Sequence, residues 1–278
     1  MAAGAYWWPH KAYPEERISH WAKETYEEYR QLKVDSKTGV TFEKHFRFCV
    51  DPDDSAYARN LVDEWQEVNG VDYGIPCAQA YLVVVPVIDV PAYMSYLRNL
   101  VESDGTKIFI TELSSPVELF PNYDLVVNCS GVWARSLVND NSVFPIRGQV
   151  VRIAPPPDMH GSIRIYQRQG PFTLILPRSN DCILGGTAQE NDWSLTVRER
   201  ETLEILERCS KIVPAVAECK VLSEAVGLRP GRKEVRLELE MAGPNRPIVH
   251  NYGHGGGGFT VAWGCANEVA RIVQDCLS

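Results

Sequence analysis

No run of apolar residues in this 278-residue chain reaches the roughly 18 needed to cross a bilayer. The longest, residues 80–90, is broken by Pro86 and Asp89. Positive charge is also scarce: 28 Lys and Arg stand against 36 Asp and Glu, for a net charge of −8 and a pI near 5.3. No basic cluster can neutralise a track of phosphates, which excludes nucleic acid as a partner. A basic leader with an apolar core is lacking, and Cys276-Leu-Ser278 does not match a Ser-Lys-Leu peroxisomal address, so the expected setting is cytoplasmic. The eight cysteines form no C-x-x-C pair and have no His at ligand spacing, so no metal site is expected. They read as reduced, mostly buried thiols, with Cys265 a small packing residue. Repeats and low-complexity segments are absent as well.

What is present is a globular pattern, with 45% apolar residues, enough for one large or two modest domains. Ile18, Trp21, Ala22, Tyr26, Tyr29 and Leu32 recur near helical spacing and predict an amphipathic helix over 14–32. Residues 40–50 alternate Phe42, Phe46, Phe48 and Val50 with Glu43, His45 and Arg47, the pattern of a half-exposed strand. A buried strand is expected at 81–87, then a helix capped by Asp89 with Pro91 in its first turn, closing at Gly105. Strands follow at 107–112, 124–128, 147–153, 163–166, 172–176 and 182–186. Thr196 and Glu199 suggest a capping box for a helix through Ile212, stopped by Pro214. Further strands are expected at 220–226, 235–240 and 248–252, before a terminal helix. Mixed strands with interleaved helices give an α/β plus α+β fold.

The segment Ile248-Val-His-Asn-Tyr-Gly-His-Gly-Gly-Gly-Gly-Phe-Thr-Val-Ala-Trp-Gly-Cys-Ala266 is the most informative. A short apolar strand runs into a backbone nearly free of Cβ atoms, and then into a helix starting near Phe259. The helix aims its free amides and positive dipole end at whatever occupies the turn, which suits a planar ring that becomes anionic.

This motif resembles the C-terminal signature of the D-amino-acid oxidase and D-aspartate oxidase family of flavoenzymes. The likeness continues, in the family's order, through Ala2-Ala3-Gly4, Val126-Val-Asn-Cys-Ser-Gly-Val-Trp-Ala134, Arg147-Gly-Gln149, Ile183-Leu-Gly-Gly-Thr187 and Val226-Gly-Leu-Arg-Pro230. It implies an FAD-binding Rossmann-like domain interleaved with a mixed-sheet substrate domain. A partial FAD-binding domain is expected from 1–12, 87–140 and 236–278, with 13–86 and 141–235 forming the substrate-binding domain. The family's opening strand, G-x-G-x-x-G turn and helix, which hold the FAD pyrophosphate, are missing. The one glycine run, near the end, has no room for a βαβ unit behind it. The expectation is therefore a truncated form.

The resemblance implies oxidative deamination of D-amino acids to 2-oxo acids, ammonia and hydrogen peroxide. Hydride passes from the substrate Cα to flavin N5, and molecular oxygen is the second substrate. Arg229, in Gly227-Leu-Arg-Pro230, is the expected anchor of the α-carboxylate, since guanidinium offers a planar bidentate match. Tyr166 is a candidate second donor to that carboxylate, and the Gly256 carbonyl the acceptor for the amine. FAD contacts are expected from Ala3, Gly4, Ser130, Gly131, Gly255, Gly256, Gly257, Gly258, Phe259 and Thr260. His250 and His254 read as structural hydrogen-bonding groups rather than bases, and Arg232 and Arg236 as solvated or paired with Glu234 and Glu238. Leu174 departs from the family, which has a carboxylate-gripping tyrosine there.

Substrate choice divides the resemblance. Gly186-Thr-Ala-Gln-Glu-Asn-Asp-Trp193 and Pro9-His-Lys-Ala-Tyr-Pro14 look closer to the D-aspartate branch, and His250-Asn251-Tyr252 to the neutral branch. Ala188 stands where the acidic branch carries an arginine, with Arg168 the nearby substitute, so neutral D-amino acids are expected and D-aspartate is the alternative. A different class of alternative is a non-catalytic protein unable to hold FAD, a partner for full-length subunits; a homodimer is compatible with either.

Overall fold

The computed structural model describes residues 4–9, 12–51, 56–157, 159, 161–167 and 170–278. Two of the expectations above, those for Ala3 and Arg168, lie outside the described residues. The elements, in order, begin with β1 (Ala5–Tyr6), α1 (Glu15–Leu32), β2 (Val40–Cys49), β3 (Trp65–Glu67), β4 (Gln79–Ile88) and α2 (Val90–Ser103). Next come β5 (Val126–Asn128), α3 (Ala134–Leu137), β6 (Phe144–Ile153), β7 (Ser162–Tyr166), β8 (Thr173–Pro177), β9 (Cys182–Gly185) and β10 (Gln189–Glu190). The chain closes with α4 (Glu199–Ile212), β11 (Val221–Gly231), β12 (Arg236–Met241), β13 (Pro247–Tyr252) and α5 (Gly258–Leu277).

Ten strands make one mixed sheet in the order β1-β4-β2-β7-β8-β9-β6-β10, with β11 alongside β6 and β3 alongside β4. A separate sheet of three strands runs β12-β13-β5. β1, in the 1–12 segment, pairs with β4 of the large sheet.

The main core lies between the large sheet and the α1–α5 pair. Ile18, Trp21, Ala22, Thr25, Tyr26 and Tyr29 form the buried stripe of α1, and Val261, Gly264 and Cys265 face it from α5. The two backbones touch at Gly264, where a Cβ would lie 2.7 Å from the Trp21 carbonyl carbon. At the same crossing the Gly264 amide donates to Thr25 Oγ1 (3.0 Å), and Trp21 Nε1 and Arg17 both donate to Glu268 (2.6 Å each). Cys265 is a buried packing residue, as expected.

Three expectations need correction. Residues 107–112 form no strand: Phe109 is 69% and Ile110 102% exposed. A run of β-prone apolar residues becomes a strand only where a neighbouring edge takes up its backbone groups, and this segment does not pair with β5. The helix at 199 starts with Arg198 as N-cap and no side-chain cap, not with a Thr196 box. The Thr196 carbonyl instead accepts from Arg147 Nη2 (2.6 Å). Finally, β2 is exposed only over its first half, at Thr41, Glu43 and Lys44; His45 and Arg47 on its polar face are fully buried, because β1 and the chain after it cover that end.

Among the described residues, no helix is long and apolar enough to cross a membrane, and no group of three or more His, Cys, Asp or Glu is arranged to hold a metal.

Candidate active site

β5 and β13 run parallel, pairing Ile248 with Val126 and His250 with Asn128, so both release their loops at the same carboxyl edge. That edge is where parallel strands present backbone to a ligand. After β5 comes Ser130-Gly131, and after β13 the run 253–258. Gly131 (φ 61°) and Gly255 (φ 53°) take the left-handed conformation that disfavours any side chain, which fixes glycine at both turns. The two loops are buttressed from below. The Asn128 amide faces His250 Nδ1 (3.2 Å), and its carbonyl oxygen accepts from the Ser130 amide (3.1 Å). With Nδ1 accepting, the His250 proton sits on Nε2, 3.1 Å from Glu240 Oε2. Burial, then Arg236, lowers the His250 pKa, and burial alone pushes His254 down to about 4. His254 Nε2 is 3.0 Å from Asn251 Oδ1. Both imidazoles are neutral at physiological pH and engaged in holding the turn.

The large sheet brings Arg229 to the same place. It sits on β11 opposite Ile146 of β6, partly buried, and Nη1 donates to the Thr187 carbonyl (3.1 Å). Its guanidinium lies over Gly148, where a Cβ would come within 2.6 Å of Cζ. The Gly255 amide donates to the Pro230 carbonyl (2.8 Å), tying the glycine turn to β11, and a Cβ on Gly256 would lie 3.9 Å from Arg229 Cδ. Desolvation, and then the charge of Arg164, push the Arg229 pKa down to about 10. No carboxylate among the described residues pairs with it.

The other expected residues are distributed less simply. Tyr166 is buried on β7 with its ring beneath the Arg47 guanidinium (5.0 Å). Gly4 lies against Ile183, Leu174 and Leu176 of β8 and β9, with Ile183 Cγ2 3.0 Å from its Cβ position. Thr260 is taken up by Trp8: its hydroxyl donates to the Trp8 carbonyl (2.9 Å) and accepts from the Trp8 amide (3.1 Å). The Phe259 carbonyl accepts from the Tyr29 hydroxyl (2.8 Å). Leu174 belongs to the core, and Ala188 is exposed. Arg236 pairs with Glu238 (2.7 Å), as expected, while Arg232 reaches Asp140 (3.0 Å).

Two arginine groups were not legible as such. Arg147 is fully buried in an ion pair with Glu201 (2.6 Å) and donates further to Gln149, Gln189 and the Ser194 and Thr196 carbonyls. It fastens β6 to the loop before α4. Arg47 and Arg164 are register partners on the parallel strands β2 and β7, fully and 92% buried, on the face shared with Tyr166. The period-2 spacing of Arg164 and Tyr166 on one strand was the available signal.

Compared with known proteins, residues 1–272 match the family model described as FAD dependent oxidoreductase. The D-amino-acid oxidase of Rubrobacter xylanophilus is 42% identical over 277 residues, covering 99% of this chain and 85% of that protein. The D-aspartate oxidase of Homo sapiens is 39% identical over 191 residues, 67% of this chain and 54% of that one. Among solved structures, glycine oxidase from Geobacillus kaustophilus superposes with a TM-score of 0.74 at 17% identity, over 96% of this chain and 80% of the other.

Proposed function

The chain belongs to the FAD dependent oxidoreductase family, and from that footing we propose that it oxidises D-amino acids to 2-oxo acids, ammonia and hydrogen peroxide. The observation that carries this reading is the meeting of Arg229 with the glycine turn: a carboxylate anchor within van der Waals reach of Gly256, whose carbonyl is a ready acceptor for an amine. The curated relatives that support the substrate class are the D-amino-acid oxidase of Rubrobacter xylanophilus and its counterparts in Dugesia ryukyuensis and Dictyostelium discoideum, each of which matches at least 94% of this chain.

The residues present fit the reacting end of FAD. Positions 131 and 258 have no heavy atom within 4 Å of where a Cβ would be, the Ser130 hydroxyl is buried without a partner, and no side chain caps α5. We assign Ser130, Gly131 and 255–258 to the flavin, with the α5 amides facing the developing negative charge. When bound, FAD supplies the hydride acceptor and, through molecular oxygen, the peroxide. The chain's own part is alignment. Arg229 fixes the α-carboxylate, the Gly256 carbonyl orients the amine, and His250 and His254, neutral and occupied, are not free bases. The proposal includes a cytoplasmic location and a cofactor-side unit built mainly from 87–140 and 236–278.

The test is oxygen consumption with saturating added FAD and D- or L-enantiomers of one amino acid. Uptake with the D-enantiomer alone supports the reading. Uptake with L alone, or none while FAD is bound, rejects it.

A further inference from the structure

The loop that carries Ser130 is held by a chain of groups whose donors and acceptors are fixed from end to end. The Ser130 amide donates to Asn128 Oδ1 (3.1 Å). That bond sets the orientation of the Asn128 carboxamide, so its NH2 points at His250 Nδ1 (3.2 Å). An amide NH2 can only donate, which makes Nδ1 the acceptor and leaves the imidazole proton on Nε2, 3.1 Å from Glu240 Oε2. Asn128 and His250 are directly opposite each other at the last paired position of β5 and β13, where both loops depart. Both side chains are buried, so bulk water does not replace either bond.

This chain closes in one protonation state only. A proton added to His250 turns Nδ1 into a donor that faces another donor. The carboxamide then has to rotate and present its oxygen to the imidazolium, and the NH2 that swings round meets the Ser130 amide donor against donor. The loop after β5 loses the bond that ties it to the strand. Among the described residues, the charged or titratable groups about His250 are Arg236, Glu238 and Glu240 of β12, and Tyr252 of its own strand, whose ring lies edge-on at 5.7 Å. Burial first, and then Arg236, oppose the proton, while the two glutamates favour it. Burial pushes the Tyr252 hydroxyl up to about 12, so it stays neutral. The balance leaves the imidazole neutral near pH 7 and sets its protonation below the ordinary value of about 6.5.

We propose that Asn128 and His250 are positioning residues for the flavin, and that protonating His250 flips the Asn128 carboxamide, frees the Ser130 amide and weakens cofactor binding in mild acid. This rests on the assignment of Ser130 and Gly131 to FAD. By linkage the effect runs both ways: bound FAD keeps the loop closed and lowers the pH at which His250 takes its proton. Neither residue touches the reacting atoms; together they set where the loop sits.

The test is the FAD dissociation constant of the full chain, read from the quenching of flavin fluorescence between about pH 5 and 8. In the wild type the Kd is expected to rise at least about tenfold toward the acid end. Asn128→Asp puts a carboxylate between the two donors, where it accepts from Ser130 and from the imidazolium without turning, so the rise should shrink to less than about twofold. Glu240→Gln, at an exposed side chain, removes a negative charge beside Nε2 and should move the midpoint to lower pH with the alkaline plateau unchanged. A second readout needs no cofactor: in an NMR titration the His250 imidazole and the Asn128 side-chain amide should shift with one midpoint, which added FAD lowers. A wild-type Kd that stays flat, or a rise that Asn128→Asp leaves in place, overturns the proposal. Absence of FAD binding at every pH would instead reject the flavin assignment, and a shared midpoint of the His250 and Asn128 signals would then keep the flip alone.

Discussion

Replacing Arg229 by Met should move stability and activity in opposite directions. Burial and Arg164 bring its pKa down to about 10, so the folded state holds this cation at a cost below that pH, and the cost fades only as the pH rises through and above 10. At about 1.36 kcal/mol per pKa unit the shift corresponds to roughly 3 kcal/mol, reduced to about 1–2 kcal/mol because the side chain keeps some contact with water. Loss of the bond to the Thr187 carbonyl takes back about 1 kcal/mol. Methionine fills similar volume over Gly148, so Arg229→Met should leave Tm unchanged or raise it by a few degrees. Without the anchor, kcat/KM for D-amino acids should fall by roughly a thousandfold, the consequence of losing a charge-paired carboxylate worth about 4 kcal/mol. Thermal melting and oxygen uptake on one preparation give both numbers. A drop in Tm of ten degrees with intact turnover would refute the assignment, since it would make Arg229 a structural residue.

Other outcomes follow from the same structure. Gly264→Ala forces a Cβ into the Trp21 backbone, which cannot rotate aside, and should cost about 2–3 kcal/mol, seen as a lower urea midpoint. Burial tends to raise the Asp140 carboxyl, but hydrogen bonds from Ser142, Tyr252 and Arg232 hold it down to about 2. Its contribution of about 1–2 kcal/mol is therefore present above pH 4 and lost as the pH falls toward 2, and Asp140→Asn should flatten that part of the acid-unfolding curve.

The sequence exposed those parts of the molecule whose physics is local. The period of α1, the alternation of β2 and the glycine run before α5 each follow from neighbouring residues, and each appears within a residue or two of its expected place. What failed depended on distant partners. Residues 107–112 have strand chemistry but no paired edge, and Thr196 and Glu199 have box spacing, yet Arg198 takes the N-cap position, its backbone held by the Gln149 side chain from 49 residues away. Arg47 and Arg164 look solvated when read along their own strands. Only the parallel pairing of β2 with β7, and β1 closing over them, reveals two buried cations. The meeting of the Arg229 strand with the glycine turn is not local either, because nothing within either segment says that the Gly255 amide will bond to Pro230.

The most direct test of the central claim is anaerobic mixing of the FAD-saturated protein with the D- or L-enantiomer of alanine, following the flavin band near about 450 nm. The account predicts that the D-enantiomer bleaches the protein-bound band in a single turnover and that oxygen restores it with release of one peroxide per flavin. A band that stays unbleached by D-aspartate, D-asparagine and D-alanine, or that the L-enantiomer bleaches equally fast, would contradict it.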